Sequence, residues 1–181
     1  MALIGLMSDS HGEWLRTRSA IALLTSFSCE KILHMGDVET HDVLDELAGH
    51  PVSLVFGNCD CPSRLSEYAV TLGIEVLDPA SVVEFGGKTI AFLHGHDFEQ
   101  YEAFIKNPEI EIVVHGHTHE KRDEIVNKTR CINPGALHRA SVYTVAVLDT
   151  TSGILEFLEV IVFKNNVCIG PIYIGDINFP K

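Results

Sequence analysis

Short apolar runs set off by polar loops organise the first part of the chain. Leu3–Met7, Lys31–His34, Val52–Phe56, Thr89–Leu93 and Glu111–Val114 each have the length and apolar content of a buried strand. Between the first two, Leu15, Ile21, Leu24 and Phe27 predict a helix over Trp14–Phe27. Val43, Leu44 and Leu47 repeat the pattern over Thr40–Gly49, where the closing glycine suits a helix C-terminus. Ser81–Phe85 and Lys88–Leu93 read as a β-hairpin across Gly86-Gly87, and Phe98–Lys106 as a short helix stopped at Asn107-Pro108. Later the pattern becomes mostly strand-like, over Glu120–Val126, Val142–Leu148 and Ile154–Ile161, with turns at Asn127-Lys128 and Ser152-Gly153. Repeated βα units giving way to hairpins predict an α/β fold of two stacked sheets with helices on their outer faces.

Composition fits one domain, assigned to residues 1–162. The chain has 181 residues, 46% of them hydrophobic and 21% charged, enough for one substantial core. It shows no linker, internal repeat or low-complexity stretch. Residues 163–181 form a C-terminal extension whose apolar stretch Cys168–Ile174 reads as an extra edge strand. A sharper reading makes it the contact of a homo-oligomer, because an exposed apolar strand invites pairing with a second copy. No apolar run is long enough to span a bilayer, and Ala2–Met7 runs straight into Asp9 with no secretory leader pattern. The five cysteines are irregularly spaced and read as reduced thiols, so the expected location is the cytoplasm. A net charge of −12 argues against non-specific binding along nucleic-acid backbones. It leaves phosphate substrates open, since charge at a site is decided locally.

The chemistry-bearing residues stand after the strands and not inside them. In order they are Asp9-Ser10-His11, Gly36-Asp37, Gly57-Asn58, His94-Gly95-His96 and Gly116-His117-Thr118-His119. Parallel strands carry ligand sites at their carboxyl ends, where the connecting loops converge. Oxygen and imidazole donors without a Cys-x-x-Cys pair suit a catalytic centre of manganese, iron, nickel, cobalt or zinc better than a structural zinc. Seven donors, Asp9, His11, Asp37, Asn58, His94, His117 and His119, exceed the needs of one tetrahedral ion and suit two ions sharing a bridge. Only a carboxylate spans two metals roughly 3.5–4 Å apart, which makes Asp37 the bridge. His96 and His115 flank these positions and are expected to hold ligands by hydrogen bonds. His34, His41, His50 and His138 read as ordinary structural or surface residues, although His34 lies where it could orient the Gly36-Asp37 loop.

Asp-Ser-His-Gly at 9–12, Gly-Asp at 36–37, Gly-Asn-Cys-Asp at 57–60, His-Gly-His at 94–96, Gly-His-Thr-His at 116–119 and Asn-Pro-Gly at 133–135 resemble the calcineurin-like metallophosphoesterases. The match is closest to the small, single-domain YfcE-type phosphodiesterases and runs in order from residue 2 to about 160. The resemblance implies a four-layer αββα sandwich. It implies one ion held by Asp9, His11, Asp37 and His119, and a second held by Asp37, Asn58, His94 and His117. The expected cofactor is two divalent transition-metal ions, manganese first and nickel, iron, cobalt or zinc after it. The expected reaction is hydrolysis of a small phosphodiester by a hydroxide bridging the ions, with Asp37, Asn58 and His94 as catalytic residues.

Three departures stand out. Cys59 occupies a place where much of the wider superfamily has a His, a candidate proton donor to the leaving group, and a thiol is a poorer general acid at neutral pH. Thr40 stands where Gly-Asp-x-x-Asp would put its second Asp, and Ala136 follows Asn133-Pro134-Gly135 in place of the more frequent Ser. Two other readings share the fold: a phosphomonoesterase, and a protein-binding scaffold such as the retromer subunit, whose metal site is degraded. The complete donor set favours an enzyme.

Overall fold

The computed structural model describes residues 1–164 and 167–169. Six strands make the first sheet: β1 (Leu3–Met7), β2 (Lys31–His34), β3 (Val52–Leu54), β4 (Glu75–Val76), β10 (Thr144–Asp149) and β11 (Leu155–Glu159), in the order β11-β10-β1-β2-β3-β4. β1 to β4 run parallel, whereas β10 and β11 are antiparallel additions on one side. Five strands make the second: β5 (Ala80–Phe85), β6 (Lys88–Leu93), β7 (Ile112–Val114), β8 (Arg122–Val126) and β9 (Thr129–Asn133), in the order β5-β6-β7-β9-β8. Here β6, β7 and β9 are parallel and the outer strands antiparallel.

Three apolar clusters hold four layers together. Ile4, Leu6, Leu33, Met35 and Val55 of the first sheet and its loops pack against Ile90, Phe92, Ile112, Val114 and Ile132 of the second. On the far face of the first sheet lie α1 (Trp14–Ser26), α2 (His41–Leu47) and α3 (Pro62–Thr71), through Ile21, Leu24, Leu44, Leu47, Leu65 and Ala69. On the far face of the second lies α4 (Phe98–Lys106), through Ile105 against Ala91, Leu93 and Val113. Burying a side chain such as Phe92 or Leu33 contributes about 1.5–3 kcal/mol, so the core between the sheets helps to anchor the strand ends. The fold is the expected αββα sandwich.

Most elements fall where the pattern puts them, and the exceptions have local causes. β3 stops at Leu54 because the next residues find other partners: Val55 N–H donates to the His34 carbonyl, and Phe56 N–H donates to Asp78 Oδ1 at 2.9 Å. The helix α3 and the strands β4 and β9 have no counterpart in the sequence pattern read above. α3 carries a start signal in Pro62 at its first turn and buries only Leu65 and Ala69, a stripe too narrow to stand out. In the C-terminal extension, β12 (Val162–Lys164) and β13 (Val167–Ile169) pair antiparallel as a separate two-stranded sheet. The rest of the expected edge strand, from residue 170 onward, lies outside the described residues.

Candidate metal centre

The loops that follow β1, β2, β3, β6 and β7 meet at one edge of the sandwich. Backbone hydrogen bonds lock the first two together: Asp9 N–H donates to the Gly36 carbonyl at 3.0 Å, His11 N–H to Asp37 O at 2.8 Å and Gly12 N–H to Val38 O at 3.1 Å. Two of these loops also approach so closely that side chains are excluded. A Cβ on Gly57 would collide with the Asp37 carboxylate, and one on Gly116 with the Ser8 hydroxyl.

Turning the donors back over the strand ends strains the chain. Asp9, His11, Asp37, His117 and His119 all have positive φ, at 56°, 42°, 55°, 68° and 59°. Left-handed backbone at a non-glycine residue costs about 1–3 kcal/mol and persists where surrounding contacts over-determine it, most often at functional sites. Asp and His tolerate it better than β-branched residues do. Five of the seven expected donors therefore share a backbone state that is uncommon elsewhere in the chain.

The side-chain atoms converge. Asp37 Oδ2 lies 3.4 Å from His11 Nε2 and 3.4 Å from His94 Nε2, the central position expected of a bridge. On one side of it, His119 Nε2 is 3.2 Å from Asp9 Oδ1 and 3.3 Å from His11 Nε2. On the other, His94 Nε2 is 3.1 Å from Asn58 Oδ1, and the His117 ring centre is 5.1 Å from that of His94. Three trios could each hold an ion, with donor atoms within 4.8 Å of one another: Asp9–His11–His119, Asp9–Asp37–His94 and His11–Asp37–Cys59.

Hydrogen bonds behind the donors decide which atoms face inward. His94 Nδ1 donates to the Met35 carbonyl at 2.7 Å, and His11 Nδ1 donates to Glu39 Oε1 at 2.7 Å. Each ring thereby turns its Nε2 lone pair toward Asp37, as metal-ligating histidines do. Carboxylate oxygens and imidazole lone pairs pointed at one another repel unless a positive charge stands among them. Asp9 Oδ1 is buried and has no hydrogen-bond partner among the described residues. A buried carboxylate oxygen left in that state is costly, and a cation removes the cost. Burial lowers the proton affinity of His94, yet Asp37 and Asp9 raise it further, so its imidazole is shifted upward. Burial would raise Asp37, but His94 and the Cys59 backbone N–H hold its carboxyl well below the usual range. Both shifts say the same thing: the centre favours positive charge. The residues present fit divalent ions.

Several supporting residues escaped the sequence reading. Asp60 accepts backbone N–H groups from Asp37 and Gly57 at 2.8 Å and from Glu39 at 2.7 Å, tying the Asp37 loop to the Asn58 loop. Its place in Gly-Asn-Cys-Asp was the available signal. His138, set aside as an ordinary surface histidine, has its ring centre 5.1 Å from that of His11, and its Nδ1 lies 3.4 Å from Glu13 Oε1. No local pattern marked it. His34 is fully buried: Gly36 N–H donates to its Nδ1 at 3.1 Å, so its Nε2–H donates to Ser10 Oγ at 2.8 Å. It braces the loops after β1 and β2 without touching the cluster. His115 is buried beside the Gly116 carbonyl at 3.0 Å, where Asn133 also donates at 2.8 Å. His96 is exposed, and no hydrogen bond links it to a donor among the described residues, so the bracing expected of it is not seen. Cys59 lies at the edge of the cluster, its thiol pushed up to about 11 by burial and by Asp37, Glu39 and Asp60.

Comparison with known proteins places this arrangement. Residues 2–153 match the calcineurin-like phosphoesterase superfamily domain. The phosphodiesterase MJ0936 of Methanocaldococcus jannaschii is 29% identical over 164 residues, covering 87% of this chain and 98% of that protein. A solved structure described as a novel archaeal phosphodiesterase superposes with a TM-score of 0.80 at 28% identity, covering 87% of this chain and 99% of that one. The structure of YfcE, a phosphoesterase from E. coli, shares the fold with a TM-score of 0.65 at 22% identity, over 96% of this chain and 100% of its own.

Proposed function

Because the chain belongs to the calcineurin-like phosphoesterase superfamily, we propose that it hydrolyses small phosphodiesters at a centre of two divalent ions. The ions would be held by Asp9, His11, Asp37, Asn58, His94, His117 and His119, with Asp37 between them. The observation that carries the reading is the placement of Asp37 Oδ2 at 3.4 Å from both His11 Nε2 and His94 Nε2, with Asp9 Oδ1 unpartnered alongside among the described residues. When bound, such ions supply a water-derived nucleophile at neutral pH and draw charge from the phosphoryl oxygens.

The chain's own residues do the rest. Met35 O and Glu39 fix the rings of His94 and His11, so neither needs to reorient to take its part. Asp60 holds the Asn58 loop against the Asp37 loop, which keeps the Asn58 amide beside the reacting phosphorus in this reading. No general acid of imidazole type follows Asn58, and the Cys59 thiol holds its proton tightly. The enzyme would therefore favour esters whose leaving oxygen departs with little protonation, aryl diesters above alkyl ones. No helix among the described residues is long and apolar enough to cross a membrane.

The test is a screen of metal-free protein reconstituted with manganese, nickel, zinc or magnesium, using a chromogenic aryl phosphodiester and the matching monoester. Diester turnover with manganese or nickel, abolished by chelation, is the expected result. No turnover with any metal, in protein shown to hold two ions, overturns the proposal. A monoester preference moves it to the phosphomonoesterase reading.

A further inference from the structure

The seven-donor reading leaves one atom of the cluster without a role. The Cys59 sulfur, a His11 ring nitrogen and an Asp37 carboxylate oxygen lie within 4.8 Å of one another, the same closeness that marks the Asp9–His11–His119 trio. Two contacts fix where the sulfur stands. Cys59 N–H donates to Asp37 Oδ1 at 2.9 Å, and Asn58 Nδ2 donates to Cys59 Sγ at 3.4 Å. Backbone and sulfur of Cys59 are thus each tied to a residue of the proposed donor set. It is also exposed, so solvent and ions reach it.

A buried carboxylate beside this trio also calls for a cation. Asp9 Oδ1 is fully buried and unpartnered among the described residues, and Asp9 belongs to one trio with His11 and to another with Asp37. Asp9 Oδ1 lies 3.2 Å from His119 Nε2 and 4.0 Å from Nε2 of His11, the imidazole that the Cys59 trio shares.

We propose that Cys59 is a metal ligand of this centre, its sulfur joining His11 and Asp37 on one ion. The proposal rests on the metal centre described under Proposed function and extends it by one donor of a different kind. On ligation the S–H bond breaks, a sulfur–metal bond forms and the proton passes to solvent, so binding at this ion releases one proton more than an oxygen and nitrogen set would. A sulfur donor also changes the metal. Oxygen and imidazole donors suit manganese along with its neighbours, whereas a thiolate moves the preference toward zinc, for which cobalt(II) is a spectroscopic stand-in. The chain then bears a centre that binds softer ions than its Asp, His and Asn residues suggest.

Cobalt(II) is the probe, because a thiolate ligand gives it a near-ultraviolet charge-transfer band that oxygen and nitrogen donors do not. Titrating metal-free protein with cobalt should raise that band to saturation in the wild type and in Cys61→Ser. Cys59→Ser should take up cobalt without the band. A second arm needs no variant: bound cobalt should slow alkylation of Cys59 by iodoacetamide, read on its peptide by mass spectrometry, and leave Cys61 reactive. Cobalt uptake with no band in the wild type, a band that persists in Cys59→Ser, or alkylation of Cys59 at the same rate with and without cobalt each overturns the proposal. In those cases the phosphodiesterase reading stands with an oxygen and nitrogen centre. If the protein takes up no cobalt, the thiolate ligand and the metal centre fall together.

Discussion

At the carboxyl edge of the parallel strands, carboxylates and imidazole lone pairs face one another, and the buried Asp9 Oδ1 and Ser8 Oγ have no partner among the described residues. At the opposite edge a cavity of about 730 Å³ is lined by Lys88, Lys106 and Arg130 together with apolar Ile105, Ile112 and Leu148. There three of the four cations are matched, Lys88 with Glu111 at 2.7 Å, Lys106 with Glu102 at 2.6 Å, and Arg130 with Asp123 through two nitrogens at 2.7 and 2.8 Å, while Lys128 has no carboxylate partner among the described residues. Its walls come from strand starts and simple turns, while the other edge twists five donors into left-handed backbone. Most cations of this hollow have carboxylate partners, whereas the donors of the crowded edge face one another without a counter-charge. Unmatched charge held in strained backbone marks the site of chemistry better than open volume does.

The comparison breaks most readily at Asp37. If this carboxylate gathers two ions, Asp37→Ala and Asp37→Asn should abolish turnover and lower metal stoichiometry, measured by elemental analysis after dialysis. His96→Ala, a change at an exposed neighbour, should do neither. An Asp37→Asn protein with both ions and near-native activity would show that the crowding at this edge has another cause. Next in size is Asp60→Ala. It removes the acceptor of three backbone N–H groups. Hydrogen bonds to charged groups contribute about 1.5–3 kcal/mol each, and water will recover part of that here. The expected loss is about 2–4 kcal/mol in denaturant unfolding, with weaker metal binding, since Asp60 sets the spacing of the Asp37 and Asn58 loops. Unchanged stability would mean that the loops hold themselves.

The crowded edge was legible in the sequence for a physical reason. Parallel strands deliver their loops to one side, so polar residues following apolar runs must meet, and Asp9, His11, Asp37, Asn58, His94, His117 and His119 do meet. Of the bracing of these loops, only the position of His34 could be read in advance. His138 reaches His11 from a loop whose path depends on Arg16, which donates to the Leu137 carbonyl at 3.0 Å across the fold. Asp60 acts on backbone groups, and nothing in their side chains announces it. The helix α3 was missed because two buried residues make no periodic stripe, and β9 because charged Arg130 interrupts its apolar run. Local pattern shows where chemistry converges; long-range hydrogen bonds decide its geometry.

Acid should sharpen the contrast by loosening the crowded edge first. Burial, reinforced by His94, pushes His34 down to about 3 from an ordinary value of 6.5. In the unfolded chain this imidazole binds a proton near pH 6.5, while in the folded chain it stays neutral until about pH 3. Between those values the unfolded state holds the extra proton, so stability rises with pH and is lost as pH falls. The slope from His34 is about 1.4 kcal/mol per pH unit below 6. Metal-free protein should show it in denaturant midpoints measured from pH 6.5 to 4.5, and His34→Gln should show a shallower slope from a lower starting stability. Equal slopes in the two proteins would place the acid sensitivity elsewhere.

The smallest effect is expected at the opposite edge, and it decides whether that cavity is structural. Lys88 and Arg130 lie on its wall, each matched with a carboxylate. Arg130 also donates to the Gly153 carbonyl at 2.6 Å, holding the turn between β10 and β11 against β9. If these cations serve only the fold, Lys88→Ala with Arg130→Ala should lower stability by about 1 kcal/mol, the usual scale for surface ion pairs. Metal content and kcat/KM for an aryl diester should hold at the wild-type values, because the cavity lies at the opposite edge from the donors of the metal centre. A larger fall in kcat/KM with stability retained would mean that the cavity takes part in the reaction after all, for instance by gathering an anionic substrate. The contrast between a mostly paired edge and an unpaired one would then fail at the cavity, and the search for a second anion site would begin at Arg130 and Lys128.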